Sequence, residues 1–116
     1  MAAAQYDILI EQGATYRRTF TWKDSLGVAV DITGYSARMQ IRRKKSSEDF
    51  EHEATTENGG ITLGQDAGTV DVFISATDTA AFAFTKGVYD IELVDDIGVV
   101  YRLIEGGVEV SKEVTR

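Results

Sequence analysis

Apolar and polar residues alternate with a period of two through most of this chain. That pattern builds half-buried β-strands and cannot line one face of a helix. The cleanest instance sets Tyr35, Ala37, Met39 and Ile41 against Ser36, Arg38, Gln40 and Arg42. The same rhythm carries Val70, Val72 and Ile74, then Tyr89, Ile91 and Leu93, then Val108 and Val110. Between 15 and 23, Tyr16, Phe20 and Trp22 share a side with Arg18, a charge that must reach a sheet edge or an acid. Near 99–105 both sides carry apolar residues. The segments 15–23, 35–43, 69–75, 88–94 and 99–105 are expected to hold the core, with shorter strands at 6–10, 28–31, 51–55 and 61–63.

The punctuation between these segments agrees with the pattern. Ser25-Leu26-Gly27, Asn58-Gly59-Gly60, Gln65-Asp66-Ala67-Gly68 and Asp95-Asp96-Ile97-Gly98 read as tight connections, mostly between antiparallel neighbours. Proline is absent and glycine occurs 11 times, so turns rest on residues that tolerate positive φ. One short helical turn is expected near 76–84. Ser75 or Thr77 would cap it, Lys86-Gly87 would end it, and Phe82 or Phe84 would close the core. Many short strands with so little helix indicate an all-β sandwich or barrel of about 7–9 strands. A chain of 116 residues makes one domain, here 6–116, preceded by an N-terminal arm at 1–5.

Charge and residue content narrow the function classes. A net charge of −7 disfavours general nucleic-acid binding. The opening Met1-Ala2-Ala3-Ala4 lacks the basic and apolar regions of a signal peptide, and no apolar run approaches a membrane span. Without cysteine there is no disulfide and no thiolate metal site. His52, the sole histidine, lies among carboxylates in Phe50-Glu51-His52-Glu53; alone it cannot form a common zinc site, and a solvated strand position is the plainer reading. Asp66, Asp95 and Asp96 sit in turns without the spacing of a calcium loop. No GxSxG, carboxylate-pair signature or phosphate loop appears, Glu105-Gly106-Gly107 being too short. The chain is therefore expected to be no enzyme, with no catalytic residues, metal or cofactor. Trp22 and the tyrosines could form a sugar platform but more often fill a sandwich core. Arg42-Arg43-Lys44-Lys45 is the one basic cluster. Glu48-Asp49-Phe50-Glu51 can neutralise it across a hairpin, or it can dock on an acidic neighbouring subunit.

Longer stretches carry a resemblance. Tyr6-Asp7-Ile8, Glu11-Gln12-Gly13-Ala14-Thr15 and Phe20-Thr21-Trp22-Lys23-Asp24 resemble a pattern in small virion proteins of tailed bacteriophages. So do Val30-Asp31-Ile32-Thr33-Gly34-Tyr35-Ser36-Ala37-Arg38-Met39-Gln40-Ile41-Arg42, Asn58-Gly59-Gly60-Ile61-Thr62-Leu63, Ile74-Ser75-Ala76-Thr77-Asp78-Thr79-Ala80, Val88-Tyr89-Asp90-Ile91-Glu92-Leu93 and the ending Glu113-Val114-Thr115-Arg116. The chain is also similar to the N-terminal domain of phage upper-baseplate and fibre-attachment proteins. That resemblance implies an Ig-like antiparallel β-sandwich and a structural role in the virion, as a multi-copy adaptor joining tail, baseplate, neck or fibre parts. It implies other virion proteins as partners and oligomeric placement in the particle, while the net charge and the lack of an apolar span set the expectation of neither nucleic acid nor membrane as a partner. Those larger proteins continue past the sandwich, whereas this sequence stops at Arg116, so a capsid decoration remains an alternative, as does a carbohydrate- or receptor-binding module. The segments expected to touch other chains are Ala2, Ala3, Ala4 and Gln5, and the basic run Arg42, Arg43, Lys44 and Lys45.

Overall fold

In the computed structural model, which describes residues 3–115, the alternating segments form strands and the Gly- and Asp-rich pieces between them form turns. The strands are β1 (Ala4–Gln5), β2 (Ile8–Glu11), β3 (Tyr16–Thr21), β4 (Ser36–Arg42), β5 (His52–Thr55), β6 (Ile61–Leu63), β7 (Thr69–Ile74), β8 (Lys86–Val94) and β9 (Val100–Ser111). A 3-10 turn (Gln65–Ala67) precedes β7, and a short helix α1 (Ala76–Ala80) follows it. One sheet runs β1-β9-β8-β4-β5 with β2 also on β9; the other runs β3-β7-β6.

The two sheets close on each other through the apolar sides of the alternation. In β4, Ala37, Met39 and Ile41 are buried while Arg38 is exposed. Opposite them in register lie Leu93, Ile91 and Tyr89 of β8. Val70, Val72 and Ile74 supply the other sheet, and Ile32 enters from the connection before β4. Each fully buried aliphatic side chain contributes about 1.5–3 kcal/mol relative to exposure. Arg18 lies on β3, an edge strand that pairs only with β7, with its guanidinium 4.7 Å from the centre of the Tyr6 ring.

Four local expectations need correction. First, pairing is not antiparallel throughout, because β1 and β2 run parallel to β9 with Ile8 opposite Val108 and Ile10 opposite Val110. This register puts Ile8 and Ile10 into the core, which an unpaired leader would leave in water. Second, Ala4 and Gln5, expected in an N-terminal arm, are held in a sheet. Ala4 and Gln5 pair with Ile104 and Glu105, and the Gln5 amide donates to the Glu105 carboxylate at 3.0 Å. Ala2 lies outside the described residues. Third, no strand forms at 28–31 beyond a bridge between Lys23 and Ala29. Asp31 instead accepts from the Thr33 backbone N–H and hydroxyl, a local turn that competes with pairing. Fourth, 99–105 and 108–110 form one strand, β9, through Gly106-Gly107. A Cβ at Gly106 would collide with the Tyr6 carbonyl, so this glycine lets the N-terminal chain lie close against β9.

The helix is shorter than 76–84. The Ser75 hydroxyl caps it by accepting from the Asp78 N–H at 3.1 Å, and it stops at Ala80. Phe82 and Phe84 are both buried, and two inward residues at i and i+2 require extended backbone. Thr79 is wholly buried yet satisfied, donating to the Ala14 carbonyl and accepting from the Gly13 N–H.

Candidate docking surfaces

The connections β3–β4 and β8–β9 contain two five-residue turns of the same design, Asp24-Ser25-Leu26-Gly27-Val28 and Asp95-Asp96-Ile97-Gly98-Val99. In the first, Asp24 Oδ1 accepts from the Leu26 and Val28 N–H groups at 2.9 and 3.0 Å. In the second, Asp95 Oδ1 accepts from Ile97 and Val99 at 3.1 and 2.8 Å. Both close with the Asp N–H donating to the valine carbonyl, and with the glycine N–H donating back to the Asp carbonyl. Gly27 and Gly98 have φ of +81° and +90°, a region other residues resist. The outcome is the same in each: an aliphatic side chain at the tip, Leu26 at 87% exposure and Ile97 at 82%. A turn that satisfies its own backbone in this way has no internal use for that side chain.

Both turns stand at one end of the sandwich. Trp22, just before the first turn, has its ring 5.5 Å from that of Tyr101, just after the second. Tyr35, just before β4, stacks on Tyr101 at 6.5 Å with an interplanar angle of 16°. Beside these rings lies a groove of about 370 Å³ lined by Trp22, Val100, Tyr101, Arg102 and Leu103. Val100 of its lining is exposed, as are Val28 and Val99, the last residues of the two turns. Trp22 is half-buried against Tyr101, so it presents less ring face than a free sugar-stacking platform would.

The segments singled out from sequence lie elsewhere. Arg42 is half-buried and engaged within its own loop, donating to the Ser47 and Glu48 carbonyls at 3.0 Å each and to Gln40 at 2.8 Å. Arg43 pairs with Glu51 at 3.4 Å, the cross-hairpin neutralisation expected of that acidic stretch. Lys44 and Lys45 are exposed. Lys45 borders a charged groove of about 320 Å³ on the outer face of the larger sheet, together with Arg42, Asp90, Arg102 and Glu105. Gln5 reaches the same Glu105, so the N-terminal strand and the basic loop both border this face. Burial, and then Glu92, push the Asp90 carboxyl above its usual range, while Arg102 at 3.6 Å opposes the shift. Ala3 and Ala4 sit on the β1 edge without polar side chains.

His52 is half-buried with its ring edge-on to Phe82 at 5.6 Å, and burial lowers its pKa below the ordinary value against the pull of Asp78 and Glu53. Among the described residues, no group of three His, Cys, Asp or Glu side chains could hold a metal ion. No helix there is long and apolar enough to cross a membrane.

The chain matches no protein-family model and no curated protein. Among solved structures it is similar to the extracellular domain of the voltage-gated sodium channel β4 subunit, seen as parallel homodimers that explain that protein's role in cell–cell adhesion. The TM-score is 0.51 at 11% identity, covering 98% of this chain and 97% of that one. The fold is Ig-like. A second structure, from photo-crosslinking analyses of multimeric cell-adhesive interactions of sodium channel β subunits, aligns with a TM-score of 0.49 at 10% identity, covering 92% of each chain. At such identities the likeness is one of fold alone. The twin turns were missed from sequence because each was read as punctuation. Their shared Asp-x-Leu/Ile-Gly-Val spelling was the available signal, as was the two-sided apolar character near 99–105.

Proposed function

We propose that this chain is a structural virion protein of a tailed bacteriophage, a multi-copy adaptor that joins tail, baseplate, neck or fibre components by protein–protein docking. The virion setting rests on the sequence resemblance. The docking role rests on one observation: two turns of the same design at one end of the sandwich each hold an aliphatic tip, Leu26 and Ile97, in water, and a mainly apolar groove lined by Trp22, Val100, Tyr101 and Leu103 lies at that end. Several exposed apolar side chains gathered at one end of a small domain point to an interaction site. In Ig variable domains, loops at one end of the sandwich form the antigen-binding site. The sodium channel β4 domain likewise acts through contacts between domains.

Mass spectrometry of purified virions tests the setting. Detection at a copy number matching the rotational symmetry of the tail supports the adaptor. A number on the scale of the capsid lattice supports decoration instead. Absence from purified particles overturns the virion reading.

A further inference from the structure

We infer that the twin-turn end enters an apolar pocket with a basic rim on a different protein, an inference that rests on the docking reading above. The tips and groove supply the apolar part: Leu26, Ile97, Val100 and Tyr101. The rim is acidic. Asp66 and Asp96 stand exposed in the connections here, and Asp24, Asp31 and Asp95 keep their charge while accepting from uncharged groups of their own turns, against Lys23 and Arg102. A receiving surface that buried the tips against acids would carry a repulsive contact, whereas Lys or Arg around its pocket would set register and speed encounter.

A second copy is a poor occupant. Tip-to-tip contact would bring the same aspartates together in a chain of net charge −7. Head-to-tail contact would meet the basic loop. There Arg42 and Arg43 are already engaged by their own loop and by Glu51. Lys44 and Lys45 share that loop with the exposed Glu48 and Asp49. The charge pattern therefore selects a foreign, basic-rimmed partner.

A random peptide-display library, selected on the immobilised intact chain, tests this. The controls are the double variant Leu26→Ser/Ile97→Ser and the single variant Asp96→Lys, all at exposed positions where folding is insensitive to substitution. The expected winners combine an aromatic or aliphatic anchor with flanking Lys or Arg. Their affinity falls about tenfold or more in the double variant and several-fold in Asp96→Lys, and it weakens with salt. Acidic or uncharged winners, winners indifferent to both variants, or no enrichment over the double variant overturn the inference. Self-association in sedimentation velocity, abolished by the double variant, also overturns it, yet leaves this end as a docking surface. Peptide binding and self-association that both ignore the double variant remove the docking surface itself.

Discussion

Single residues divide into those the fold needs and those it leaves free. Ile91 is wholly buried opposite Met39, so Ile91→Ala is expected to cost about 2–5 kcal/mol in urea unfolding. Gly106→Ala forces a Cβ into the Tyr6 carbonyl and should destabilise by about 1–3 kcal/mol by the same assay, although it adds only a methyl group. Leu26→Ser should stay within about 0.5 kcal/mol of the parent, because its side chain touches water and not the core. His52 supplies the pH dependence. Burial depresses its pKa in the folded state, so the unfolded chain takes up the proton first. Stability should be level above about pH 6.5 and fall as pH drops below it, a window where the sole histidine is the main side chain to titrate. His52→Gln should flatten that decline in thermal melts, and an unchanged slope would show that other groups cause it. The inward set Ala37, Met39, Ile41, Val70, Val72, Ile74, Tyr89, Ile91 and Leu93 was legible in sequence because strict alternation leaves one side to bury. The outward use of Leu26 and Ile97 was not, since a lone aliphatic residue in a turn has no partner in the local pattern to give it meaning.

At the level of elements, alternation located strands well and said little about their partners. The segment 61–63 and the stretches that became β4 and β7 were placed within a residue or two, because Gly- and Asp-rich turns bound them sharply. The parallel pairing of β1 and β2 with β9 left no local trace, as period two is the same in either direction. Ile10→Ser in β2 should therefore unfold the domain far more readily than deletion of 1–5, since Ile10 is fully buried while Ala4 and Gln5 are exposed. The twin turns give a paired test. Asp24→Ala and Asp95→Ala each remove one carboxylate oxygen that accepts from two backbone N–H groups, and each should lower stability by about 1 kcal/mol in urea unfolding. Asp95 also accepts from the Tyr101 hydroxyl at 3.4 Å, so its loss should equal or exceed that of Asp24, and a loss confined to one of the two turns would contradict the shared design.

As a whole, the molecule is an Ig-like sandwich 44 Å long with an acidic, apolar-tipped end, a charged outer sheet face and a basic loop that is largely self-engaged. The density of short alternating segments reads as an all-β sandwich or barrel, and the choice of an Ig-like sandwich is what the resemblance to phage proteins implied. The end proposed for docking could not be read from sequence, because it is assembled from connections that meet only when the two sheets close, as the Trp22–Tyr101–Tyr35 ring contacts show. The most direct test of the proposed docking places a photo-reactive amino acid at position 26, 97 or 44 of the chain and irradiates the virion proposed to contain it. The account predicts covalent links from 26 and 97 to a different protein of that particle. Links from 44 alone, with 26 and 97 unreacted, would contradict it.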